Sequence, residues 1–455
     1  MIKHFYKILL ICLFVVIGIS SKAQSNYAEV DSNSYKLYYN MQWKRLIYFG
    51  ENAINDSVDY MFLRQRIGIA YFSLKNYRMA AYHLEKALAF NCDDDFTLYY
   101  LYYSYLYSGR LSDANYLTRN MTQTMKDSLH WRNKYISSVD VESGFSKSNN
   151  ISKNSSINID GTADIYGEND MCGDLSYNHI GLNHEVLPFL SIYQSINNIN
   201  IANEKEIRYN KNITHAKDST VDTICNYTVK QFEYYISGDI QLMEGLKITP
   251  AYHYLHVGFT KLNTNLDQNK HLEIISTTSS LNNYVVSLAI TKEFKLTSLS
   301  LFASKSNLNA LKQTVFGATF NYFPFGNTNF YTSTTISYIL EDSNINGNPK
   351  RYILDQIAGV KILKKLWGEA SITLGDLTDF NEKNAFIVYN TFDNIKLKAG
   401  LSLIYTLSPH FDLSLRYQFL QRQDAYMTYI STNQKIYTTT NYLNNTIIGG
   451  IKWKL

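Results

Sequence analysis

The sequence predicts a short array of helices followed by a closed antiparallel β-barrel of about 14 strands. Three observations support this fold class. The spacing of apolar residues changes from about 3.6 to about 2 near Val139. Short and long connections then alternate along the chain. Finally, apolar and polar residues alternate up to the last residue, Leu455, where most chains fray.

Residues 1–23 have the features of a secretory signal peptide. Lys3 and Lys7 form a basic start, residues 8–19 form an apolar run, and small residues around Ala23 suit cleavage. The run is short for a membrane span, although an uncleaved anchor helix is the alternative. Loss of this segment lowers the formal charge from +4 to +1 because it removes three lysines. A near-neutral chain gives no reason to expect nucleic-acid binding.

Residues 27–135 carry a helical repeat. Tyr71 and Tyr105 are 34 residues apart, and so are Ala80 and Ala114. A 34-residue period with small residues at helix crossings is typical of tetratricopeptide helix pairs. The positions that fit the packing pattern are Gly68, Tyr71, Ala80, Leu84, Ala87, Tyr105 and Ala114. About two and a half repeats are present, and such arrays need about three, so we expect support from a neighbouring domain or a protein partner.

Residues 139–455 are predicted to form strands joined by two kinds of connection. Connections after even-numbered strands are short, and those after odd-numbered strands are long and polar, except at 305–311. Outer-membrane barrels have this arrangement, with periplasmic turns and extracellular loops. Both ends of the domain fall on the turn side, so we expect the helices in the periplasm. A secreted β-sandwich would alternate similarly but would not explain the turn lengths or the paired terminus.

This order of parts resembles a known family. A signal peptide, a short tetratricopeptide-like segment and a C-terminal barrel resemble the tetratricopeptide-repeat-containing outer-membrane β-barrel proteins of Bacteroidetes-type bacteria. The barrel is similar to YaiO-like barrels. The resemblance is architectural and spans nearly the whole chain, although the end, Trp453-Lys454-Leu455, departs from the terminal aromatic residue of many such barrels. By analogy with the poly-N-acetylglucosamine exporter, it implies an export pore with periplasmic repeats.

The polar face of the last three predicted strands is basic. Its basic residues are Lys396, Lys398, Arg416, Arg422, Lys452 and Lys454. If these strands adjoin, one wall of the lumen is positive, which favours anionic solutes and acidic polysaccharides. The alternative is a wall neutralised by Glu233, Asp239 and Glu369, or by a loop that folds inward.

The sequence shows no catalytic centre, metal site or cofactor site. His253 and His256 have opposite parity on one strand, and no serine, histidine and acid share a strand face. Cys172 and Cys225 lie in successive long loops. A disulfide between them would tether these loops, and two free thiols are the alternative.

These features predict a channel or export pore, for anionic solutes or polysaccharide, that sits in outer-membrane lipid. Its repeats would recruit a periplasmic protein partner, and the alternative is that they serve only as a spacer or a cap. The alternative is a non-conducting, membrane-anchored scaffold for protein–protein interaction. A third option is a surface enzyme acting on lipid or sugar, which would need polar side chains that converge at one rim.

Overall fold

The computed structural model describes residues 27–132, 134–156, 166–210, 220–266, 272–342, 350–431 and 434–455. The segment expected to be a signal peptide, residues 1–23, lies outside these residues. The chain divides into two compact units. The first contains the helices up to Arg132 with the short segments Phe294–Thr297 and Phe323–Thr328, and the second contains the rest of the sheet.

The first unit is built from consecutive short helices. They are α1 (27–39), α2 (Trp43–Asn55), α3 (Met61–Ser73), α4 (Tyr77–Leu88), α5 (Asp95–Tyr107), α6 (Leu111–Leu117) and α7 (Gln123–Ser128). Asn76 and Asp94 cap α4 and α5, because their side chains accept backbone N–H groups at 3.2 and 2.8 Å. Within the described ranges, no helix is both long enough and apolar enough to cross a membrane.

The 34-residue period appears as a repeated contact. Tyr71 donates a hydrogen bond to Glu51 at 2.5 Å, and Tyr105 donates one to Glu85 at 2.9 Å. Both members of the second pair lie 34 residues after their counterparts. The remaining repeat positions are buried in the helix crossings: Ala80, Leu84, Ala87 and Ala114. At Gly68 the helices α3 and α4 are so close that an added Cβ would lie 2.7 Å from the Leu84 side chain.

Among the described residues, the second unit contains one closed antiparallel sheet of fourteen main strands and one added short strand. The strands are β1 (Ser138–Ser148), β2 (Leu175–Leu187), β3 (Leu190–Asn210), β4 (Thr220–Met243), β5 (Leu246–Leu266), β6 (Leu272–Glu293), β7 (Thr297–Ser306), β8 (Lys312–Tyr322), β9 (Phe330–Asp342), β10 (Lys350–Leu363), β11 (Leu366–Leu374), β12 (Asn394–Ser408), β13 (Phe411–Ser431) and β14 (Gln434–Lys454). Each strand pairs with the next along the chain. Pairing of β1 with β14, from Ser138 opposite Lys454 to Ser148 opposite Asn444, closes the sheet and confirms the predicted closed barrel.

The connections alternate in length only in part. Short turns follow the even-numbered strands as predicted. At the other end of the barrel, several connections expected to be long are short, because β5 ends at Leu266 and β6 begins at Leu272, and β13 ends at Ser431 and β14 begins at Gln434. Several strands extend farther toward the long connections than the sequence pattern indicates. For example, β4 begins at Thr220, eight residues before residue 228, where the alternating sequence pattern predicts this strand to start. The added short strand Tyr166–Met171 pairs with β3 and β13 at this same end.

The outer surface of the barrel is apolar. Leu401 and Ile447, on β12 and β14, are each 59% exposed, whereas Thr446 beside Ile447 faces inward and is 7% exposed. The start of β12 departs from simple alternation: Ile395 is buried against an inner cluster, whereas Lys396 is exposed. A bulge between Ile395 and Leu397 reverses the alternation at this point. The barrel therefore has an apolar outside and a polar lumen.

Candidate functional site

The connection between β11 and β12 folds into the barrel. Its residues 379–393, which we call the lumen hairpin, contain two short strands, Phe380–Glu382 and Ile387–Tyr389, that pair with each other. Inward-facing residues of β4, β5, β6 and β7 form hydrogen bonds with the hairpin. This connection therefore does not project outward as a long extracellular loop would, but folds inward, which is the alternative that the sequence left open for the basic face.

The hairpin is bonded to several strands of the wall at once. His253 Nδ1 lies 2.7 Å from the carbonyl oxygen of Ala385. Tyr235 donates to the carbonyl of Asn384 at 3.2 Å, and Ser287 donates to the Asn384 side chain at 2.5 Å. Further bonds join Ser304 to Asn381, Gln231 to Asn390, and Asn309 to Asp379 and Asn390. Because the partners come from different strands, the hairpin lies across the lumen.

The tip of the hairpin carries an aromatic anchor. The Phe386 ring packs against the rings of His179, Tyr193 and Tyr235, with centroid distances of 5.9, 5.9 and 5.1 Å. The ring planes are steeply inclined, which is a favoured geometry for aromatic pairs. Phe386 thus fills an aromatic pocket in the inner wall.

The turn of the hairpin has a strained backbone. Lys383, Asn384 and Ala385 have φ values of 53°, 55° and 65°, in the left-handed region. This region costs a residue other than glycine about 1–2 kcal/mol. The wall contacts of Asn384 and Ala385 offset that cost only while the hairpin occupies the lumen.

A buried polar network lies beside the aromatic anchor. His179 Nε2 is 2.8 Å from Asp140, and its Nδ1 is 2.5 Å from the side-chain oxygen of Asn197. Tyr193 also donates to Asp140, at 2.9 Å, and Asn197 donates to Glu233, at 2.6 Å. Both ring nitrogens have oxygen partners, so the imidazole links β2 to the neighbouring strands β1 and β3. Sequence reasoning missed this cluster because it depends on the register between β1, β2 and β3.

Two of the predicted basic residues bind the hairpin. The Lys398 ammonium pairs with the Glu382 carboxylate and lies 2.9 Å from the Tyr389 hydroxyl. Arg422 pairs with Asp393 at 2.7 Å. Burial acts to raise the pKa of Glu382, but the Lys398 ammonium holds this pKa below its usual value. These buried ion pairs tie the hairpin to β12 and β13.

The other four predicted basic residues have different surroundings. Arg416 pairs with Glu142 of β1, and Lys454 pairs with Asp412 at 2.6 Å. Two residues are exposed to solvent: Lys396 and Lys452. Lys396 is the extra residue of the bulge in β12, which separates it from the inward face. Of the three acids considered as neutralising groups, Asp239 pairs with Lys247, while Glu233 and Glu369 accept hydrogen bonds from uncharged side chains.

The lumen hairpin separates two cavities. The loop-side cavity, of about 670 Å³, lies toward the long connections and includes residues 390–393 in its lining. The turn-side cavity, of about 340 Å³, lies toward the short turns and is lined in part by Phe380, Glu382 and Asn384. Because opposite parts of the hairpin line the two cavities, the hairpin forms the partition between them.

An ionisable group lies at the base of the hairpin. Asp379 is buried, and Asn309 donates a hydrogen bond to its carboxylate at 2.7 Å. Burial raises the pKa of Asp379 to about 7, although the bond from Asn309 opposes this shift. The carboxylates of Glu341 and Asp376 act in the same direction as burial, and Arg351 acts against it. The charge of Asp379 therefore changes near neutral pH.

Cys172 and Cys225 are not joined, and Cys225 lies on β4 rather than in a long loop. Cys172 and Cys225 both carry free thiols, so the candidate disulfide is absent. The sulfur of Cys172 lies 3.9 Å from Arg422. Cys225 packs instead against a cluster that contains Tyr166 and Tyr209. The two thiols thus face different surroundings.

Comparison with known proteins yields similarity in structure. No family model matches the chain, and no curated protein matches it. The Pseudomonas putida toluene transporter TodX is similar over 70% of this chain and 90% of its own, with 7% identity and a TM-score of 0.42. A Pseudomonas aeruginosa FadL homologue has the same coverage and identity, with a TM-score of 0.39. The translocator domain of the Neisseria meningitidis autotransporter NalP is similar over 77% of this chain and 99% of its own, with 9% identity and a TM-score of 0.30.

Proposed function

We propose that this chain is an outer-membrane β-barrel channel that is closed by the lumen hairpin and opens when the hairpin moves. The observation that carries the proposal is the partition of the lumen into cavities of about 670 and 340 Å³. Barrels of about eight strands fill with side chains, whereas barrels of about sixteen hold a water-filled channel. A fourteen-stranded barrel has room for a pathway, and here the hairpin occupies it.

The apolar outer surface supports the membrane location. Large apolar side chains such as Leu401 and Ile447 would be costly to expose to water but suit contact with acyl chains. Closure of the sheet satisfies the backbone hydrogen bonds that lipid cannot satisfy. Within this proposal the long connections are extracellular. The short turns and the helices are periplasmic, because Ser138 and Lys454 lie at the turn end.

The ion pairs of the basic residues in the lumen affect which charge of solute the channel would prefer. Lys398, Arg416, Arg422 and Lys454 each pair with a carboxylate, so the closed lumen offers little free positive charge. We therefore propose a channel for small solutes without a strong anion preference. Passage of a polysaccharide, acidic or neutral, would require the whole hairpin to leave the lumen.

Conductance in planar bilayers tests the proposal. In the test variant, a glycine–serine linker of equal length replaces residues 380–389. We expect discrete conductance steps from this variant and few from the wild-type chain. A matched control places the same kind of linker at residues 343–349, in another long connection. If the variant folds, as judged by heat-modifiable gel migration, yet conducts no more than the control, the channel proposal is wrong and the non-conducting anchor is favoured.

The helical unit supports a second role. We propose that it is a tetratricopeptide-type array that recruits a periplasmic protein, because the Tyr–Glu contact recurs with the repeat period. Tyr39 and Tyr48 of the first two helices are 74% and 73% exposed, as aromatic residues at protein interfaces often are in the free protein. Photo-crosslinkers at 39 and 48 should capture the same partner, and one at the exposed Thr124 should not. Equal capture at all positions, or none, would contradict this role.

A further inference from the structure

The loop-side cavity has the size of a small-molecule site. Its volume of about 670 Å³ falls within the range of about 300–1,000 Å³ that is usual for ligand pockets. Residues 390–393 of the lumen hairpin form part of its lining, so a solute that enters from the long connections meets the hairpin there. The cavity is thus a place where a solute would pause before the hairpin moves.

One wall of this cavity is apolar. Val229, Val257, Phe259 and Leu281 line it from three adjacent strands, β4, β5 and β6. The hairpin adds Phe392, whose side chain is 80% exposed although it is large and aromatic. Covering apolar surface of this kind stabilises a complex by about 25 cal/mol per Å². The wall therefore selects a solute with an apolar or aromatic body.

The remaining lining carries more negative than positive charge. It contains the carboxylates of Glu168, Asp170, Asp393 and Asp424 and the ammonium groups of Lys205 and Lys261. Lys205 already contacts Glu168 and Asp170, at 2.7 and 3.4 Å, and Asp393 pairs with Arg422 from outside the lining. The surplus negative charge remains after these pairs are counted, and it disfavours an anionic solute.

Aromatic rings complete the match with a cation. Tyr227, Phe259 and Phe392 all line the cavity. A protonated amine is attracted to the face of such rings and forms a charge-assisted hydrogen bond with a nearby carboxylate. We propose that the loop-side cavity binds an amphipathic amine, which is a small molecule with an apolar or aromatic body and one ammonium group. This proposal rests on the proposed channel function, because it names the class of solute that the channel would admit.

Three probes with one body and different head groups test the proposal. They are phenylpropylamine, phenylpropanol and phenylpropionate, titrated calorimetrically into the full-length chain in nanodiscs at neutral pH. We expect the amine to bind about tenfold or more tightly than the carboxylate, with the alcohol between them. Equal affinities, tightest binding of the carboxylate, or no binding of the amine would overturn the proposal.

Variants separate the two features of the site. Asp424→Asn should narrow the preference for amine over carboxylate by about three- to tenfold. Asp170→Asn should act in the same direction, and its side chain is 56% exposed, so folding should tolerate the change. Phe259→Ala should weaken all three probes by similar factors. Glu273→Gln, an exposed carboxylate outside the lining, is the control and should change nothing.

The binding and conductance experiments distinguish failure of the amine-site proposal from failure of the channel proposal. A chain that binds the amine but does not conduct after hairpin replacement would retain the site and refute the channel. A chain that conducts after replacement but binds the three probes equally would retain the channel and refute the amine site.

Discussion

The buried pair between Glu382 and Lys398 gives the sharpest prediction about the lumen hairpin. Their side chains are only 9% and 10% exposed, and Lys398 also contacts Tyr389 on the same hairpin. Removing one partner of a buried ion pair costs about 3–5 kcal/mol, because the other charge stays buried and uncompensated. In Glu382→Gln the hairpin can relieve this cost by moving away from Lys398. The cost therefore shifts the equilibrium from a seated hairpin, which occupies the lumen, toward a displaced one, which does not.

The size of the shift follows from this cost. A change of about 3 kcal/mol corresponds to roughly 100-fold in the ratio of displaced to seated hairpin. Single-channel recording of Glu382→Gln should show an open probability that rises accordingly. Lys398→Met should act in the same direction. The double variant should open less than the sum of the two predicts, because no unpaired charge remains.

A second charge pair in the lumen provides the control. Asp239 and Lys247 are 2.7 Å apart, but their side chains are 31% and 29% exposed, and within the described part of the chain no bond joins either to the hairpin. This pair is more exposed to water than the Glu382–Lys398 pair and holds no hairpin residue, so Asp239→Asn should change the open probability much less than Glu382→Gln does. If Glu382→Gln opens the channel no more than Asp239→Asn does, the hairpin does not depend on its buried ion pair and the reasoning fails.

Three further predictions concern the pH response, the outer surface and the repeats. Asp379 has a pKa of about 7 when buried and about 4 when exposed, so the seated hairpin is most stable below about pH 4. Opening should therefore rise between about pH 4 and pH 7, and Asp379→Asn should abolish this rise in bilayer recordings. Because the proposal places the outer surface in lipid, Ile447→Lys should cost about 2–4 kcal/mol and reduce the heat-modifiable folded fraction in membranes. Gly68→Ala forces a Cβ to within 2.7 Å of Leu84 and should lower the melting temperature of the helical circular-dichroism signal by several degrees, whereas Gly449→Ala, with nothing within 4 Å, should not.

The barrel could be predicted from the sequence because the features that determine it lie within short stretches of the chain. The alternation of apolar and polar residues indicates which face of each strand is the apolar outer one. The lengths of the connections indicate which end of the barrel carries the turns. The strand ends were harder to place. β4 begins at Thr220 rather than near 228, because its first residues lack the apolar outer face that marks the strands elsewhere. The bulge at Ile395 also shifts parity without any signal in composition.

The site could not be predicted in the same way. The path of the lumen hairpin depends on contacts with strands far away in sequence, such as Tyr235 with Asn384. A signal was present nevertheless, since residues 380–389, "FNEKNAFIVY", are more apolar than a solvated loop needs to be. The partners of Lys398 and Arg422 depend on this same fold, so the sequence could show a basic face but not the carboxylates that neutralise it.

The position of the hairpin can be measured directly by crosslinking in membranes. Ser304 donates a hydrogen bond to Asn381 at 3.1 Å, whereas the adjacent Lys305 is exposed. In a chain whose native cysteines are serines, a short thiol-to-thiol reagent should join Ser304→Cys to Asn381→Cys and leave Lys305→Cys unjoined to Asn381→Cys. Joining of the first pair alone is the result expected when the hairpin occupies the lumen. Joining of neither pair, or of both equally, would show that residues 379–393 lie elsewhere.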